Sequence, residues 1–255
     1  MIELCNLTKD YGERRAVAGL DLRVATNEFL ILVGPSGCGK TTTLTMINRL
    51  VEPSSGDIRI DGSNVREFEP VALRRKIGFV FQDVGLFPHL TAAENVGITL
   101  RLTGAPRRAM AERVGDVMLR MRMPIGEFGE RFPDALSGGQ RQRIGIARAL
   151  AARPSIMLMD EPFGALDPLT RDELVREYRT LHDTLKLTTL LVTHDMTEAF
   201  LLADRIAIMR EGSLVQIGTP HEIVSAPADE FVRALIEHPR RRARALAQVL
   251  GATGK

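Results

Sequence analysis

The chain has 255 residues, of which 44% are hydrophobic, and 34 lysine or arginine residues nearly balance 32 aspartate or glutamate residues. This length fits one large domain or two modest ones, and the hydrophobic content is ordinary for a globular core. The formal net charge of +2 argues against strong overall attraction to nucleic acid or to a membrane, so any such contact has to be local.

The N-terminus lacks the pattern of a secretory signal, and no apolar run approaches the roughly 20 residues that a membrane-spanning helix needs. We therefore expect a cytosolic protein, which could still sit on a membrane partner. Cys5 and Cys38 fit no metal-binding spacing. In a cytosolic chain they are expected to be free thiols.

Two kinds of strand pattern follow along the chain. Residues 2–8, 19–25 and 57–61 alternate between apolar and polar side chains, which predicts a small antiparallel β subdomain with one solvent-facing side. Other short runs are apolar without alternation, which is typical of buried parallel strands in an α/β sheet. These runs are residues 29–33, 77–81, 156–159, 189–192 and 206–209.

Residues 34–41, Gly-Pro-Ser-Gly-Cys-Gly-Lys-Thr, follow the first buried run and precede a helical pattern. They match the P-loop motif G-x-x-x-x-G-K-[ST], and the strand and helix on either side argue against an accidental glycine turn. Backbone N–H groups of such a loop surround phosphate, Lys40 reaches the terminal phosphates, and the Thr41 hydroxyl ligates Mg²⁺. The predicted nucleotide-binding residues here are Gly34, Pro35, Ser36, Gly37, Cys38, Gly39, Lys40, Thr41 and Thr42.

Gln82 stands at the end of the second buried run, where it could touch the metal or the attacking water. Strand signals then stop between about residues 91 and 153, and we interpret residues 86–153 as an inserted α-helical subdomain. The loop residues Leu86, Phe87 and Pro88 either await a partner protein at the surface or pack within this subdomain. The sequence favours neither alternative.

Residues 136–142, Leu-Ser-Gly-Gly-Gln-Arg-Gln, form a second glycine-rich helix start. Ser137 offers a cap hydroxyl, and Gly138 and Gly139 allow close backbone approach. Since no lysine or magnesium ligand is present, this is half of an anion site. Our hypothesis is a two-fold dimer in which the Ser137 turn covers the γ-phosphate held by the partner's P-loop. The alternative is a helix that is simply capped.

Carboxylates and a histidine complete the candidate chemistry. Asp160 and Glu161 follow the run 156–159, where Asp160 is predicted to hold the magnesium shell and Glu161 to act as general base. The alternative is a solvated strand end. His194 follows the run 189–192 and should emerge at the same carboxyl edge as a γ-phosphate sensor, although a lone histidine is more often structural. Asp167 and Pro168 mark another helix start.

In this order, the motifs closely resemble the ATP-binding subunit of ATP-binding-cassette (ABC) transporters over about residues 1–220. The resemblance implies the P-loop ABC ATPase fold, with residues 221–255 as a helical C-terminal tail. Its basic cluster, Arg240, Arg241, Arg242 and Arg244, is interpreted as a solvated end.

The same resemblance implies roles for single residues. Glu161, His194 and Gln82 would be catalytic, and Thr41, Gln82 and Asp160 would hold Mg²⁺. Beyond the P-loop, the nucleotide would be contacted by Tyr11, which stacks on adenine, and by Ser137, Gly138, Gly139, Gln140 and Asp167 across the dimer.

Residues 41–62 and 73–95 are similar to importers of glycine betaine, choline and related osmoprotectants. This implies ATP and Mg²⁺ as cofactors, a homodimer, transmembrane permease subunits, and indirectly an extracytoplasmic solute-binding protein, without nucleic acid. The expected place is the cytoplasmic face of the inner membrane, as a peripheral subunit.

Many such importers continue into paired regulatory domains, so regulation by ionic strength is not expected of a chain that ends at Lys255. A soluble ABC-type ATPase of ribosomes or DNA, or an exporter or lipid-transport ATPase, stays open.

Overall fold

A computed structural model describes residues 1–237 and 239–241 of the chain. Strands and helices alternate along it, with short 3₁₀ turns at Val65–Glu67 and Pro133–Ala135. The elements are β1 (Ile2–Tyr11), β2 (Arg14–Val24), β3 (Phe29–Val33), α1 (Lys40–Ile47), β4 (Ser55–Ile60), β5 (Ser63–Asn64), α2 (Pro70–Lys76), β6 (Ile77–Val80), α3 (Ala92–Leu102), α4 (Arg107–Arg120), α5 (Ile125–Phe128), α6 (Gly138–Ala151), β7 (Ile156–Asp160), α7 (Pro168–Leu185), β8 (Thr188–Thr193), α8 (Met196–Leu202), β9 (Arg205–Arg210), β10 (Ser213–Gly218) and α9 (Pro220–Ser225).

The larger sheet has the strand order β10-β9-β3-β8-β7-β6. All neighbours pair in parallel except β10, which forms an antiparallel hairpin with β9. The five apolar runs of the sequence are the five parallel strands, so the predicted mostly parallel sheet is confirmed. Since parallel strands share a carboxyl edge, the segments that follow β3, β6, β7 and β8 emerge on one side of the molecule.

Strand β10 is absent from the sequence prediction. Its side chains are mostly half-buried, so it shows no apolar run. The signal that could have revealed it is the turn at Glu211 and Gly212, where φ is 50° and 82°. Two consecutive positive φ values are typical of a two-residue type I′ hairpin turn, and glycine favours the second of them.

The smaller sheet has the order β2-β1-β4-β5 and is antiparallel, which confirms the predicted β subdomain. The predicted boundaries are wrong at several strand ends. β1 extends to Tyr11 rather than to residue 8, β2 begins at Arg14 rather than at residue 19, and β4 begins at Ser55 rather than at residue 57. Tyr11 pairs with Arg14 across a tight turn. Charged residues at the solvent-exposed start of β2 hide this hairpin from a hydrophobic pattern.

Strand β3 divides the interior into two apolar layers. Phe29, Ile31 and Val33 belong to a cluster shared with α4, α6 and α7. Leu30 and Leu32 face the opposite cluster, which includes α1 and the antiparallel sheet. Alternate side chains of one strand therefore bind both layers together, as expected of a central strand buried on its two faces.

Residues 86–153 are all described, and they comprise the helices α3 to α6 without a strand. Apolar residues of α4 and α6 share the cluster that also holds α7, so these helices rest directly on the core of the sheet. Arg143 of α6 adds an ion pair to Glu177 of α7. The interpretation of residues 86–153 as a distinct inserted subdomain stays a prediction.

The C-terminal region is helical where it is described, in α9 and again at residues 230–237. Arg240 forms an ion pair with Glu237 at 3.3 Å, and Arg241 is exposed. Arg242 and Arg244 of the predicted basic cluster lie outside the described residues. The division into a domain of residues 1–220 and a tail likewise stays a prediction.

Helix α7 is fixed to the sheet through a buried histidine. His182 Nδ1 lies 3.0 Å from Thr189 Oγ1 of β8, and its ring lies 4.8 Å from that of Phe29. Tyr178 reaches the same hydroxyl at 3.3 Å. Burial, followed by the charge of Arg179, lowers the pKa of His182.

This lowered pKa predicts a loss of stability in acid. Above the ordinary value of 6.5, His182 is neutral in both states and its contribution is complete. As the pH falls below that value, the unfolded chain takes up a proton that the folded chain resists, so the free energy of unfolding decreases. His182→Gln should reduce this slope in urea unfolding at pH values below 6.5, whereas His221→Gln, at an exposed position, should not. An unchanged slope in His182→Gln would contradict the assignment.

Candidate functional site

A cleft of about 640 Å³ opens at the carboxyl edge of the parallel sheet. The loop between β3 and α1 forms its floor, and the segments after β6, β7 and β8 contribute side chains from one wall. The lining residues are Tyr11, Arg14, Ala16, Ser36, Gly37, Gly39, Lys40, Thr41, Thr42, Gln82, Glu161 and His194. Segments from distant parts of the sequence thus converge as predicted.

The P-loop packs tightly against neighbouring strands. A Cβ at Gly34 would collide with the backbone of Met209, and one at Gly39 would collide with the carbonyl of Ala16. Gly39 also has a φ of 102° immediately before α1 begins. Glycine is therefore required at both positions, because the backbone of a neighbouring strand lies too close for a side chain. Helix α1 starts at Lys40, so the partial positive charge of its N-terminus lies at the cleft.

Lys40 is only 5% exposed, and the loop bends around its amino group. Lys40 Nζ donates to the carbonyls of Gly34 at 2.7 Å and Pro35 at 2.9 Å. Cys38 is buried, with its sulfur 3.8 Å from the same amino group. Ser36, Gly37 and Thr42 line the cleft. Gly34, Pro35 and Cys38 do not line it and instead surround the amino group of Lys40.

Asp160 and Thr41 meet at the strand ends. The Thr41 hydroxyl donates to Asp160 Oδ1 at 3.0 Å. Burial raises the pKa of Asp160, and the neighbouring charge of Glu161 adds to the rise, while the Thr41 bond and Lys40 oppose it. A hydroxyl and a carboxylate oxygen are ligands that suit Mg²⁺.

Within residues 1–237 and 239–241 there is no group of three or more His, Cys, Asp or Glu side chains that could hold a metal. A magnesium site at Thr41 and Asp160 would therefore be completed by phosphate and water, as is usual for this ion.

Glu161 and His194 form a pair at the entrance of the cleft. His194 Nδ1 lies 3.1 Å from Glu161 Oε2, and the histidine ring is well exposed. The Glu161 N–H donates to the carbonyl of Val192 at 2.9 Å, which ties the end of β7 to β8. A carboxylate held beside a histidine is arranged for proton transfer to or from a small molecule in the cleft.

The second glycine-rich start lies outside this cleft. Ser137 caps α6 by accepting from the Gln140 N–H at 3.2 Å, and Gln140 Oε1 accepts from the Ser137 N–H at 2.9 Å. The cap predicted for Ser137 is confirmed. Gly138 is exposed and Gly139 half-buried, and the single chain does not bring these residues to the P-loop. Their contact with a nucleotide stays a prediction that requires a second copy.

Asp167 caps α7, as predicted, and also lies outside the cleft. It accepts from the Thr170 N–H at 3.1 Å, and hydrogen bonding by Thr170 lowers the pKa of the Asp167 carboxyl. A Cβ at Gly139 would lie 2.6 Å from Thr170 Cγ2. The starts of α6 and α7 are therefore neighbours.

The loop after Gln82 is held by α6. Arg148 donates to the carbonyl of Gly85 at 2.6 Å and also to that of Val84. Gly145 packs so closely on the Val84 side chain that a Cβ there would collide with it. For the following residues the structure decides only between packing and exposure, and the partner protein stays a prediction. Leu86 packs against the core, whereas Phe87 is 43% exposed and Pro88 is exposed.

Sequence reasoning missed Arg14 and Ala16 as lining residues. Arg14 Nη2 lies 3.4 Å from the Gly37 carbonyl, between Tyr11 and the P-loop. The available signal was the short hairpin turn after Tyr11, which places Arg14 opposite Tyr11. None of the helices of the described part is long and apolar enough to span a membrane.

A family model described as "ABC transporter" matches residues 17–164. The choline transport ATP-binding protein OpuBA of Bacillus subtilis (strain 168) is 52% identical over 241 residues, which cover 94% of this chain and 63% of that protein. The glycine betaine uptake system ATP-binding protein YehX of Escherichia coli (strain K12) is 45% identical, with coverages of 91% and 75%. The chain thus spans less than two thirds of the length of the first of these relatives.

Solved structures agree with the sequence relatives. The dimeric post-hydrolysis state of the ATP-binding cassette MJ0796, bound to ADP and Pi, superposes with a TM-score of 0.78 at 33% identity. The match covers 86% of this chain and 98% of that structure. The α/β arrangement of a mostly parallel P-loop sheet, an antiparallel sheet and added helices is therefore the ABC ATPase fold.

The buried carboxyl of Asp160 predicts a conflict between stability and function. Asp160→Asn keeps an acceptor for Thr41 but removes the buried charge, so the nucleotide-free protein should melt higher, by about 2–4 °C per kcal/mol relieved. The rise in melting temperature on adding Mg²⁺ and ATP should shrink or vanish. Asp134→Asn, at an exposed position, should change neither. A lower melting temperature for Asp160→Asn in the presence of chelator would contradict the interpretation.

Proposed function

Because the chain belongs to the ABC transporter family, we propose that it is the ATP-hydrolysing subunit of an importer of a small osmoprotectant, such as glycine betaine or choline. The observation that carries the ATPase proposal is the convergence of Lys40, Asp160, Glu161 and His194 on one cleft. These residues come from three separate segments, which are the P-loop, the end of β7 and the segment after β8. Each residue has a distinct task in phosphoryl transfer.

Nucleotide binding uses both ends of the cleft. Tyr11 is 49% exposed and offers a ring face on which adenine can stack. The P-loop N–H groups and the start of α1 receive the phosphates. Lys40 would exchange its bonds to the Gly34 and Pro35 carbonyls for phosphate oxygens. The oxygens of Thr41 and Asp160 fit Mg²⁺, which when bound supplies charge neutralisation at the phosphates.

Hydrolysis requires a base and a group that orients it. The Glu161 carboxylate accepts a proton from the attacking water, since it borders the cleft. In the tautomer with a proton on Nδ1, His194 donates to Glu161 and keeps the carboxylate in place. With a second proton, on Nε2, the same ring can also donate to a γ-phosphate oxygen. Gln82, which lines the same cleft, would contact the water or the metal shell.

The exposed start of α6 supports a homodimer. The Ser137 oxygen accepts from Gln140 within its own chain, so the hydroxyl proton is available for a phosphate oxygen of the partner's nucleotide. The first N–H groups of α6 add the positive end of the helix. The superposable cassette structures are described as dimeric, which supports the same arrangement.

A groove of about 300 Å³ beside Gln82 supports a permease as partner. Phe81, Phe87 and Leu102 are exposed apolar residues of its lining, and Arg148 connects its floor to the loop after Gln82. Movement at the nucleotide can thus reach a protein seated in the groove. We place the subunit at the cytoplasmic face of the inner membrane, bound to transmembrane permeases that receive cargo from a solute-binding protein.

The cargo proposal is supported by the names of relatives. The osmoprotectant import protein OsmV of Salmonella typhimurium (strain LT2) is 45% identical over 251 residues, with coverages of 96% of this chain and 66% of that protein. Uptake of radiolabelled glycine betaine and choline by cells that carry or lack this chain together with its permeases tests the cargo. Uptake that does not depend on the chain would refute it.

Glu161→Gln tests the hydrolytic step. Glutamine preserves size but cannot accept the proton, so turnover should fall by about 10²-fold or more while ATP binding persists. The variant should therefore elute as an ATP-bound dimer in size-exclusion chromatography. Glu130→Gln, at an exposed position, is the control. Wild-type turnover in Glu161→Gln would remove Glu161 from its assigned role.

Mixing two inactive chains tests the shared site. Lys40→Ala lacks phosphate binding, and Ser137→Asp keeps the helix cap but places a negative charge against the γ-phosphate. In a mixed dimer, one site combines the intact P-loop of the Ser137→Asp chain with the intact Ser137 of the Lys40→Ala chain. Random mixing should therefore restore about a quarter of the sites. A mixture as inactive as its components would contradict the two-fold arrangement.

A further inference from the structure

Arg171 of α7 contacts the turn that connects Glu161 to Asp167. Its Nε donates to the Phe163 carbonyl, and its Nη2 donates to the carbonyls of Gly164 and Leu166, all at 3.2 Å. One guanidinium thus binds three of the backbone acceptors in a turn of a few residues. The side chain is 29% exposed and does not line the nucleotide cleft.

The turn begins in an unusual backbone conformation. Glu161 has a φ of 43°, in the left-handed region, although it carries a full side chain. Such a conformation is unfavourable for residues other than glycine and persists only when the surroundings fix it. Two bonds within the turn, from the Gly164 N–H to the Glu161 carbonyl and from the Leu166 N–H to the Phe163 carbonyl, help to do so. Arg171 binds the carbonyls of Gly164 and Leu166, which these two bonds do not use, and shares the carbonyl of Phe163.

The same guanidinium faces the segment that carries His194. Arg171 Nη1 lies 3.6 Å from Asp195 Oδ2, and Nε lies 4.0 Å from Glu198 Oε1. Glu198 is only 4% exposed and accepts from the Thr193 hydroxyl at 2.7 Å. The Thr193 hydroxyl in turn accepts from the Asp195 N–H at 3.0 Å. The backbone on either side of His194 is therefore tied into the network of Arg171.

We propose that Arg171 is a positioning residue for hydrolysis. It connects the turn after Glu161 to the segment around His194 and thereby fixes the position of the Glu161 side chain relative to that of His194. This role rests on the proposed ATPase function, since it concerns the same carboxylate and histidine. Arg171 acts through Glu161 and His194 and needs no contact with the nucleotide.

The geometry requires an arginine. A planar guanidinium presents several N–H groups in fixed directions, so Nε and Nη2 can bind three carbonyls while Nη1 faces Asp195. A lysine ammonium carries three donors on a flexible stem and cannot span this set. The position of the Glu161 carboxylate would then be defined less sharply, and small misplacements of reacting groups reduce turnover on the order of 10²-fold.

The test compares Arg171→Ala and Arg171→Lys with a matched control in the full chain. Arg176→Ala removes an exposed arginine from the same helix, whose side chain bonds, among the residues that the structure describes, only to the Asp172 carbonyl. For each variant, kcat and KM of ATP hydrolysis, the affinity for ATP and the melting temperature are measured. Hydrogen exchange of residues 161–167 and 193–198 reports the positions directly, without hydrolysis.

We expect kcat to fall about 10²-fold in Arg171→Ala while ATP affinity stays within about 2-fold, and we expect Arg171→Lys to restore little. Backbone hydrogen exchange should accelerate in residues 161–167 and in residues 193–198. A loss that affects affinity and kcat equally, a full rescue by lysine, or unchanged kcat would overturn the proposal. If the wild-type chain does not hydrolyse ATP, the proposed function fails, and the exchange data still decide whether Arg171 holds the two segments.

A second variant covers the case in which Arg171→Ala does not fold. Asp195 caps α8, and asparagine caps helices equally well, so Asp195→Asn removes only the charge that faces Arg171. Its kcat should fall several-fold, with an unchanged melting temperature. Where both single variants fold, the double variant should be no slower than Arg171→Ala, because both changes break one network. If the reduction of kcat in the double variant equalled the product of the two single reductions, the two residues would not share one network.

Discussion

The parallel pairing of β3, β8 and β7 is the constraint on which the rest of the structure depends. Val33 is the register partner of Thr193, and Asp160 is the register partner of Val192. The three strands therefore end at the same level, and the residues that follow them are neighbours although more than a hundred positions separate the end of β3 from those of β7 and β8. The apolar layers on both faces of β3 hold this register, since a slip by one residue would exchange the two sets of buried side chains.

This arrangement buries charged groups away from solvent. Lys40 and Asp160 are both buried, and the bonds from Lys40 to the loop carbonyls and from Thr41 to Asp160 compensate part of the cost of their burial. Such groups are unfavourable for stability and useful for binding, because charge acts more strongly where water is excluded. The glycines of the loop make the arrangement possible by allowing the backbone of neighbouring strands to approach.

The parts of the molecule that depend on local pattern were predictable from the sequence. The five buried strands, the P-loop and the caps at Ser137 and Asp167 each have a short signature, and the structure agrees with all of them. Strand β10 and the start of β2 were not predictable from hydrophobicity, because their side chains are half-buried or exposed. Arg14 was missed for the same reason. Arg171 has no signature at all, since its role comes from a turn and a segment that only the folded chain brings together.

The contact between α6 and the loop after Gln82 has a consequence for how two nucleotides would be used. The start of α6 belongs to the site of the partner chain in the proposed dimer, whereas Gln82 belongs to the chain's own site. Arg148 and Gly145 fasten the loop to the middle of that same helix. If α6 moves as a rigid body, occupancy of one site of the proposed dimer would shift the groups that belong to the other site. Two ATP molecules should therefore be bound and consumed cooperatively, with a sigmoidal dependence of rate on nucleotide concentration.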